Sequence, residues 1–114
     1  MKVSIRERGD VAILDVKGNI TIGEGDVVLR EAIQDLLTEG KIKLLVNMAD
    51  VKYIDSAGLG ELIHAYTSVS RRGVGALKLV GLQKKARQLL TITKLHTIFQ
   101  CFDDEETAVQ SFTA

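Results

Sequence analysis

The sequence predicts an α/β domain with a mixed, largely parallel β-sheet, an N-terminal β-hairpin and about four helices. Two observations carry this prediction. The chain opens with two alternating apolar segments, and after them segments with helix spacing alternate with short apolar strands. Such alternation implies right-handed crossover connections, which join parallel strands. The length of 114 residues suits one modest core, so we expect a single domain over residues 1–114.

The first half of the chain predicts a hairpin, a loop and a helix. Apolar and polar residues alternate on both sides of the Gly9-Asp10 pair, which supplies turn chemistry, so residues 2–17 are expected to form the hairpin. A polar loop containing glycines follows over residues 18–26. The next helix is expected to end before Gly40, a residue favoured just after helix C-termini. Its apolar stripe consists of Leu29, Ala32, Ile33, Leu36 and Leu37.

The second half repeats a strand–helix pattern. An apolar run over residues 44–48 predicts a buried strand, and a helix is expected from about residue 57 to 72. Residues 76–80 predict a further strand, residues 83–93 a third helix and residues 98–102 a short strand. The helix over residues 57–72 is predicted from apolar residues at steps of three and four, which are Leu59, Leu62, Ile63, Tyr66 and Val69.

The C-terminal segment predicts a last helix. Asp103 is expected to cap it, with Glu106 three residues later as in a capping box. Its inward residues are expected to be Ala108, Val109 and Phe112. The outward face of the helix before it is basic and polar, with Lys84, Lys85, Arg87 and Gln88.

Composition excludes several classes of partner. Lys plus Arg and Asp plus Glu both number 15, so the formal net charge is zero and favours neither nucleic acid nor an anionic membrane surface. Zero net charge also gives little repulsion between copies, which suits a monomer or a weak homodimer.

Cys101 is the single cysteine, which fits a reducing compartment. Charges near the N-terminus and the lack of a long apolar run favour a cytoplasmic protein without a membrane segment.

The residues do not assemble a recognisable catalytic set. Ser56 could act as a nucleophile only with a base, and His64 lies about 12 Å further along the same expected helix. Neither His64 nor His96 has a cysteine or carboxylate at metal-ligand spacing, and no phosphate-binding loop of the nucleotide hydrolases occurs. We therefore expect no enzymatic activity, no metal and no cofactor.

The most informative position is the junction between the strand over residues 44–48 and the helix after it. Ser56 carries the one hydroxyl there, beside the unpaired N–H groups and the positive end of a helix, where a phosphate can be held. Serine is also a favoured N-cap, and Asp55 could share that task, so the residues alone leave cap and regulated hydroxyl equally supported. For Gly58 and Gly60, close packing of a helix end, or room for a partner's backbone, is favoured over ligand binding.

The segment around Ser56 resembles the signature of STAS domains, most closely that of bacterial anti-sigma factor antagonists. The resemblance rests on Asp55-Ser56-Ala57-Gly58-Leu59-Gly60 after an apolar strand and a lead-in of Val51 and Ile54. The order of expected elements extends it over nearly the whole chain.

The resemblance implies a binding switch. In that family an anti-sigma factor that is itself a serine kinase phosphorylates the serine matching Ser56. The unphosphorylated antagonist binds the kinase and frees the sigma factor, the phosphorylated form lets go, and a PP2C-type phosphatase restores it. The implied interface comprises the loop over residues 18–26, the exposed face of the helix after Ser56, and the residues Thr21, Glu24, Asp55, Ser56, Ala57, Gly58, Leu59, Gly60 and Glu61.

The chain departs from the family pattern at several positions. Ala57 stands where many members carry a second serine, and Asn47 stands where the preceding strand often ends in aspartate. Thr21 and Glu24 are the nearest candidates for a loop residue that is commonly aspartate. These departures bear on the specificity of the kinase. Separately, an alternative hypothesis stays open: a constitutive, unphosphorylated STAS interaction subunit of a stressosome-like scaffold or a lipid-transport ABC complex, in which Ser56 is only a helix cap.

Overall fold

One mixed β-sheet organises residues 1–113, which a computed structural model describes. Its strands follow the order of the sequence across the sheet. The first pair is the antiparallel hairpin, and every later neighbour pairs in parallel. The strands are β1 (Lys2–Arg8), β2 (Val11–Lys17), β3 (Lys43–Asp50), β4 (Ala76–Val80) and β5 (Cys101–Phe102).

Helices supply the crossovers between the parallel strands, as the alternating pattern predicts. They are α1 (Gly25–Thr38), α2 (Ser56–Ser70), α3 (Lys84–Ile92) and α4 (Glu105–Gln110), with short 3₁₀ turns at Leu95–Thr97 and Ser111–Thr113. The expected α/β fold, with its N-terminal hairpin, mixed sheet and four helices, is confirmed. Among the described residues, no helix combines the length and apolarity needed to cross a membrane.

The main core lies on the sheet face that α1, α2 and α3 cover. Strand residues alternate between the two faces, so Leu14, Leu44 and Val46 reach this core while their neighbours point to the opposite face. Leu62 of α2 is fully buried against them. Burial of these side chains is the dominant stabilising contribution to the domain.

The opposite face carries a smaller core under α4. It consists of Val11, Ile13, Leu45, Val80, Ala108 and Phe112. Lys78 ties the C-terminal end to this face, because its Nζ donates to Ser111 O at 3.1 Å and to Ser111 Oγ at 2.9 Å. The same ammonium lies 4.5 Å from the Phe112 ring centroid, and burial lowers the pKa of Lys78.

Ion pairs connect α4 to the hairpin. Arg6 Nη2 lies 2.6 Å from Glu105 Oε1, and Arg8 Nη2 lies 2.5 Å from Glu106 Oε2. Arg6 also pairs with Asp15 of β2 at 2.5 Å. Both strands of the hairpin and the start of α4 thus share one charged network.

Two expected boundaries differ because local hydrogen bonds take the backbone groups. Helix α2 ends at Ser70 rather than near residue 72, since the N–H of Arg72 turns back to Val69 O and Gly73 has a φ of 65°. The expected strand over residues 98–102 shrinks to Cys101–Phe102. The first residues of the expected strand do not join the sheet, because the N–H groups of residues 98 and 99 both bond to Leu95 O in a 3₁₀ turn.

Two side-chain assignments also differ. Asp104, not Asp103, caps α4 by accepting a hydrogen bond from Thr107 N at 3.0 Å. Glu106 does not form a capping box, since its carboxylate is held by Arg8 and by Gln110 Nε2. On α2, Ile63 is 39 % exposed, while a residue outside the expected stripe, Ala65, is buried.

Candidate functional site

Two loops at the carboxyl ends of β2 and β3 are bonded to each other and form the floor of the site. Gly18 N donates to Asp50 O at 3.2 Å, and Ile20 N donates to Tyr53 O at 3.1 Å. The N–H of Asp55 returns a bond to Ile20 O at 3.3 Å, and Ile20 and Ile54 form a parallel bridge. The β2–β3 pairing therefore continues beyond the strands into the segment that precedes α2.

Asp55 joins this pair of loops to the start of α2. Its Oδ1 accepts a hydrogen bond from Gly58 N at 2.9 Å, which makes Asp55 the N-cap of the helix. Its Oδ2 accepts from Ile22 N at 2.9 Å. The bonds from Gly58 and then Ile22 stabilise the carboxylate and lower the pKa of Asp55, so the group is ionised at neutral pH.

Ser56 is the first residue of α2 and its side chain is exposed. The hydroxyl makes no side-chain hydrogen bond to any other residue in the part of the chain described, because Asp55 already caps the helix. The helix cap is therefore Asp55 and not Ser56, and the Ser56 side chain stays exposed. The positive end of α2 lies directly beneath it.

Gly58 and Gly60 have different surroundings although both lie in the first turns of α2. A Cβ on Gly58 would collide with the carbonyl oxygen of Ile20, so glycine is required where the helix packs on the loop. A Cβ on Gly60 would meet nothing within 4 Å. The close-packing interpretation holds for Gly58 and not for Gly60.

The loop residues singled out from the sequence lie on the turn between β2 and α1. Thr21 is half-buried, and its carbonyl oxygen accepts bonds from Glu24 N and Asp26 N, each at 3.2 Å. Glu24 is exposed at the N-cap position of α1. Hydrogen bonding brings residues 20–22 against Asp55, whereas Glu24 lies beyond the tight turn at Gly23, where φ is 81°.

Two predicted interface residues are partly committed to the fold. Leu59 is 8 % exposed and packs in the main core, so its side chain offers little surface to a partner. Glu61 is held by Arg30 of α1, whose Nε and Nη2 lie 2.9 and 2.8 Å from Glu61 Oε1. Sequence spacing gave no sign of this link between helices.

Sequence reasoning did not single out two exposed apolar residues in the loops before α1 and α2, although Ile22 lies in the expected interface loop over residues 18–26. Ile22 is 74 % exposed at the turn that Asp55 holds, and Tyr53 is 52 % exposed on the other loop. A signal was present for Ile22, since it is one of two large apolar residues in a loop whose other members are polar residues and glycines.

The histidines lie away from Ser56. His64 borders a groove between α1 and α2 together with Arg30 and Glu61. His96 Nδ1 lies 3.4 Å from Leu90 O at the end of α3. Within residues 1–113, no group of three or more His, Cys, Asp or Glu side chains is arranged to hold a metal ion.

Comparisons with known proteins find relatives that match most of the chain. Residues 2–108 match the family model of the STAS domain. The anti-sigma-B factor antagonist of Bacillus subtilis (strain 168) is 37 % identical over 100 residues, which span 84 % of this chain and 89 % of that relative.

Solved structures show the same fold. A crystal structure from Thermotoga maritima, of a protein assigned as an anti-sigma factor antagonist, has a TM-score of 0.91 at 26 % identity and covers 98 % of this chain and 95 % of that one. The structure of the Bacillus cell fate determinant SpoIIAA in its phosphorylated form has a TM-score of 0.72 at 14 % identity. The match covers 96 % of this chain and 98 % of that chain. The family model over residues 2–108 and the Bacillus subtilis relative lead to one assignment: the chain belongs to the STAS domain family.

Proposed function

We propose that this protein is an anti-sigma factor antagonist. In its unphosphorylated form it binds an anti-sigma factor that is a serine kinase, and the sigma factor is released. Phosphorylation of Ser56 switches this binding off. Two observations support the proposal. The protein is similar to anti-sigma factor antagonists, in particular the anti-sigma-B factor antagonist of Bacillus subtilis, and the Ser56 junction has suitable chemistry.

The observation that carries the proposal is the availability of the Ser56 hydroxyl. It is exposed at the first position of α2, and the capping role that would otherwise occupy it belongs to Asp55. A kinase can reach such a hydroxyl without unfolding the helix, because modification breaks no hydrogen bond that the structure gives to its side chain. Serine at this position is therefore explained better by an external partner than by stability.

A phosphate on Ser56 would change charge more than shape. It would add about −1.5 to −2 charge at neutral pH. The N-terminus of α2 favours an anion, so the domain tolerates the group. A partner that fits the bare hydroxyl would instead meet this charge beside the ionised Asp55 carboxylate, and it would be repelled or obstructed.

In this proposal the protein is a substrate and a regulator, not an enzyme. The kinase activity belongs to the anti-sigma factor, and a PP2C-type phosphatase returns Ser56 to its hydroxyl form. The proposed contact surface consists of the braced loops, the exposed residues of the first turns of α2 and the side chains of Thr21, Glu24 and Glu61.

The experiment is calorimetric titration of the purified anti-sigma factor kinase of the same organism with three forms of this protein. We expect wild type and Ser56→Ala to bind alike, because Ser56 makes no capping bond. Ser56→Asp should bind at least about 30-fold more weakly, which corresponds to about 2 kcal/mol. Incubation with ATP should add one phosphoryl group to wild type at Ser56 and none to Ser56→Ala, measured by mass spectrometry.

Equal affinities of wild type and Ser56→Asp, together with no phosphorylation by a kinase that modifies a control substrate, would contradict the switch. The constitutive STAS interaction subunit of a scaffold or a lipid-transport complex would then be the better account. Thermal unfolding of Ser56→Asp provides the control for folding, and its midpoint should stay close to that of wild type.

A further inference from the structure

A groove separates α3 from the loop that leads into α2. It has a volume of about 420 Å³. Apolar side chains of Tyr53 and Ile54 form one wall, and Leu89 and Ile92 of α3 form the other. Lys85 stands at its edge.

Two large side chains that line this groove are exposed to an extent that is unusual for apolar residues. Ile92 is 79 % exposed at the end of α3, and Tyr53 is 52 % exposed. Ile92 also borders a second depression on its other side, with Arg87, Gln88 and Thr91. A large apolar side chain standing between two concave surfaces is a typical anchor for a protein partner.

The edge of the groove, at Lys85, and the preceding residue of α3, Lys84, carry positive charge that no ion pair within residues 1–113 neutralises. Lys84 and Lys85 are exposed and form no ion pair with any carboxylate in residues 1–113. Arg87, on the same helix, differs because it pairs with Asp103 at 3.1 Å. The lysines therefore give this side of α3 a positive charge that a partner's carboxylates can complement.

The groove is continuous with the Ser56 site. Tyr53 and Ile54 lie three and two residues before Ser56, in the loop that is bonded to residues 18–22. The carbonyl oxygen of Tyr53 accepts the bond from Ile20 N, so one wall of the groove is fixed by the same braces that position Ser56.

We propose that this groove is a second contact for the anti-sigma factor that meets Ser56. The occupant is a segment of that partner with an apolar side chain, which enters between Tyr53 and Ile92, and with carboxylates that face Lys84 and Lys85. This inference rests on the proposed function and extends the interface from the start of α2 onto α3, away from the phosphorylated residue.

Four variants test the groove by calorimetric titration of the same anti-sigma factor kinase. Ile92→Ser removes the apolar anchor, and Lys85→Glu reverses the charge at the edge. Val74→Ser and Arg72→Glu are matched controls, since Val74 is 78 % exposed and both residues lie beyond the far end of α2. We expect each groove variant to bind at least about tenfold more weakly than its control. Lys85→Glu should also flatten the salt dependence of the affinity.

The outcomes separate the two proposals. If wild type binds, Ser56→Asp does not, and both groove variants bind like their controls, the groove inference is overturned while the proposed function stands. If wild type does not bind the kinase, both are overturned. Sedimentation of the free protein adds a further arm: a wild-type dimer that Ile92→Ser converts to a monomer would assign the groove to a second copy of this chain and overturn the inference.

Discussion

Asp55 and Ser56 are neighbours with separate tasks. Both carboxylate oxygens of Asp55 accept hydrogen bonds from backbone N–H groups, one in α2 and one in the loop at Ile22. The Ser56 side chain forms no hydrogen bond with any residue in the described part of the chain. This division suits the proposed switch, because a modified residue that also capped the helix would change the stability of the domain.

Gly58 and Gly60 give a direct test of how α2 packs. Gly58→Ala should lower the free energy of unfolding by about 1–3 kcal/mol, because the added methyl meets the backbone of Ile20. Gly60→Ala should raise it by about 0.5–1 kcal/mol, since alanine favours a helix and has open space here. Urea unfolding followed by circular dichroism measures both.

Each of these two substitutions is the control for the other, because they make the same chemical change two residues apart on one helix. Equal effects of the two on the urea midpoint would show that the loop moves aside freely. The close packing of α2 on residues 18–22 would then not be a constraint on this sequence.

The sequence predicted the importance of the Asp55-Ser56 junction but not how its roles are divided. Both residue types are good N-caps, so local preference could not choose between them. Asp55 caps the helix through Gly58 N, and its second bond comes from the Ile22 N–H, which is 33 positions away in the chain and reaches Asp55 only in the folded structure. The exposure of Ile92 and the Arg30–Glu61 pair likewise depend on contacts between elements.

At the scale of elements, α4 is the part most dependent on charge. It has six residues, too few to be stable alone, and it covers only a small core. Arg6 and Arg8 hold its first turn through Glu105 and Glu106. The hydrogen bond from Arg6 is the main cause that lowers the pKa of Glu105 and of Asp15.

Stability should therefore depend on pH through Glu105. A carboxyl with a lowered pKa in the folded state stabilises the fold above its unfolded pKa of about 4.3, and this contribution is lost as pH falls through the folded value. Glu105→Gln should be less stable than wild type at pH 7, by at most about 1 kcal/mol for such partly exposed pairs. The difference should shrink below about pH 4.3 in urea unfolding measured across pH.

Glu31→Gln is the control for this measurement, since Glu31 is an exposed glutamate of α1 that forms no ion pair within residues 1–113. A difference between wild type and Glu105→Gln that stays constant from pH 7 to pH 2 would contradict the role of the Glu105 carboxylate.

The sequence predicted correctly the elements that hydrophobic spacing determines. It predicted less accurately the boundaries and caps that local polar hydrogen bonds determine. The apolar stripe of α1 and the buried run of β3 identify their elements without further information. The cap of α4 was assigned one residue too early because Asp103 and Asp104 are equivalent in sequence. The last strand was predicted too long because its apolar residues suit either a strand or the 3₁₀ turn that bonds to Leu95 O.

For the whole molecule, the Ser56 site lies at the carboxyl ends of β2 and β3, and the charged network of α4 lies on the opposite face of the sheet. The helices that flank the site pack on the main core. Nothing in this arrangement requires the sheet to move when Ser56 is modified. The proposed switch is therefore local.

A local switch predicts restricted changes in the nuclear magnetic resonance spectrum. Ser56→Asp should shift backbone amide signals only in residues 18–24 and 50–60, because the new charge is accommodated at the end of α2. Val69→Ala, which opens space in the main core, should shift signals more widely and serves as the comparison. Widespread shifts in β4 and α4 on Ser56→Asp would contradict a switch that works by charge alone.

The hydrogen bonds between the two loops also affect how quickly a partner can be engaged. Residues 18–22 are already bonded to residues 50–55, so the surface around Ser56 exists before any encounter. Docking on a preformed surface needs no folding step, and association rates for such encounters are about 10⁵–10⁷ M⁻¹ s⁻¹. Changes at one interface mostly alter the dissociation rate of a complex. We therefore expect a phosphate on Ser56 to act mainly by shortening the lifetime of the complex with the partner.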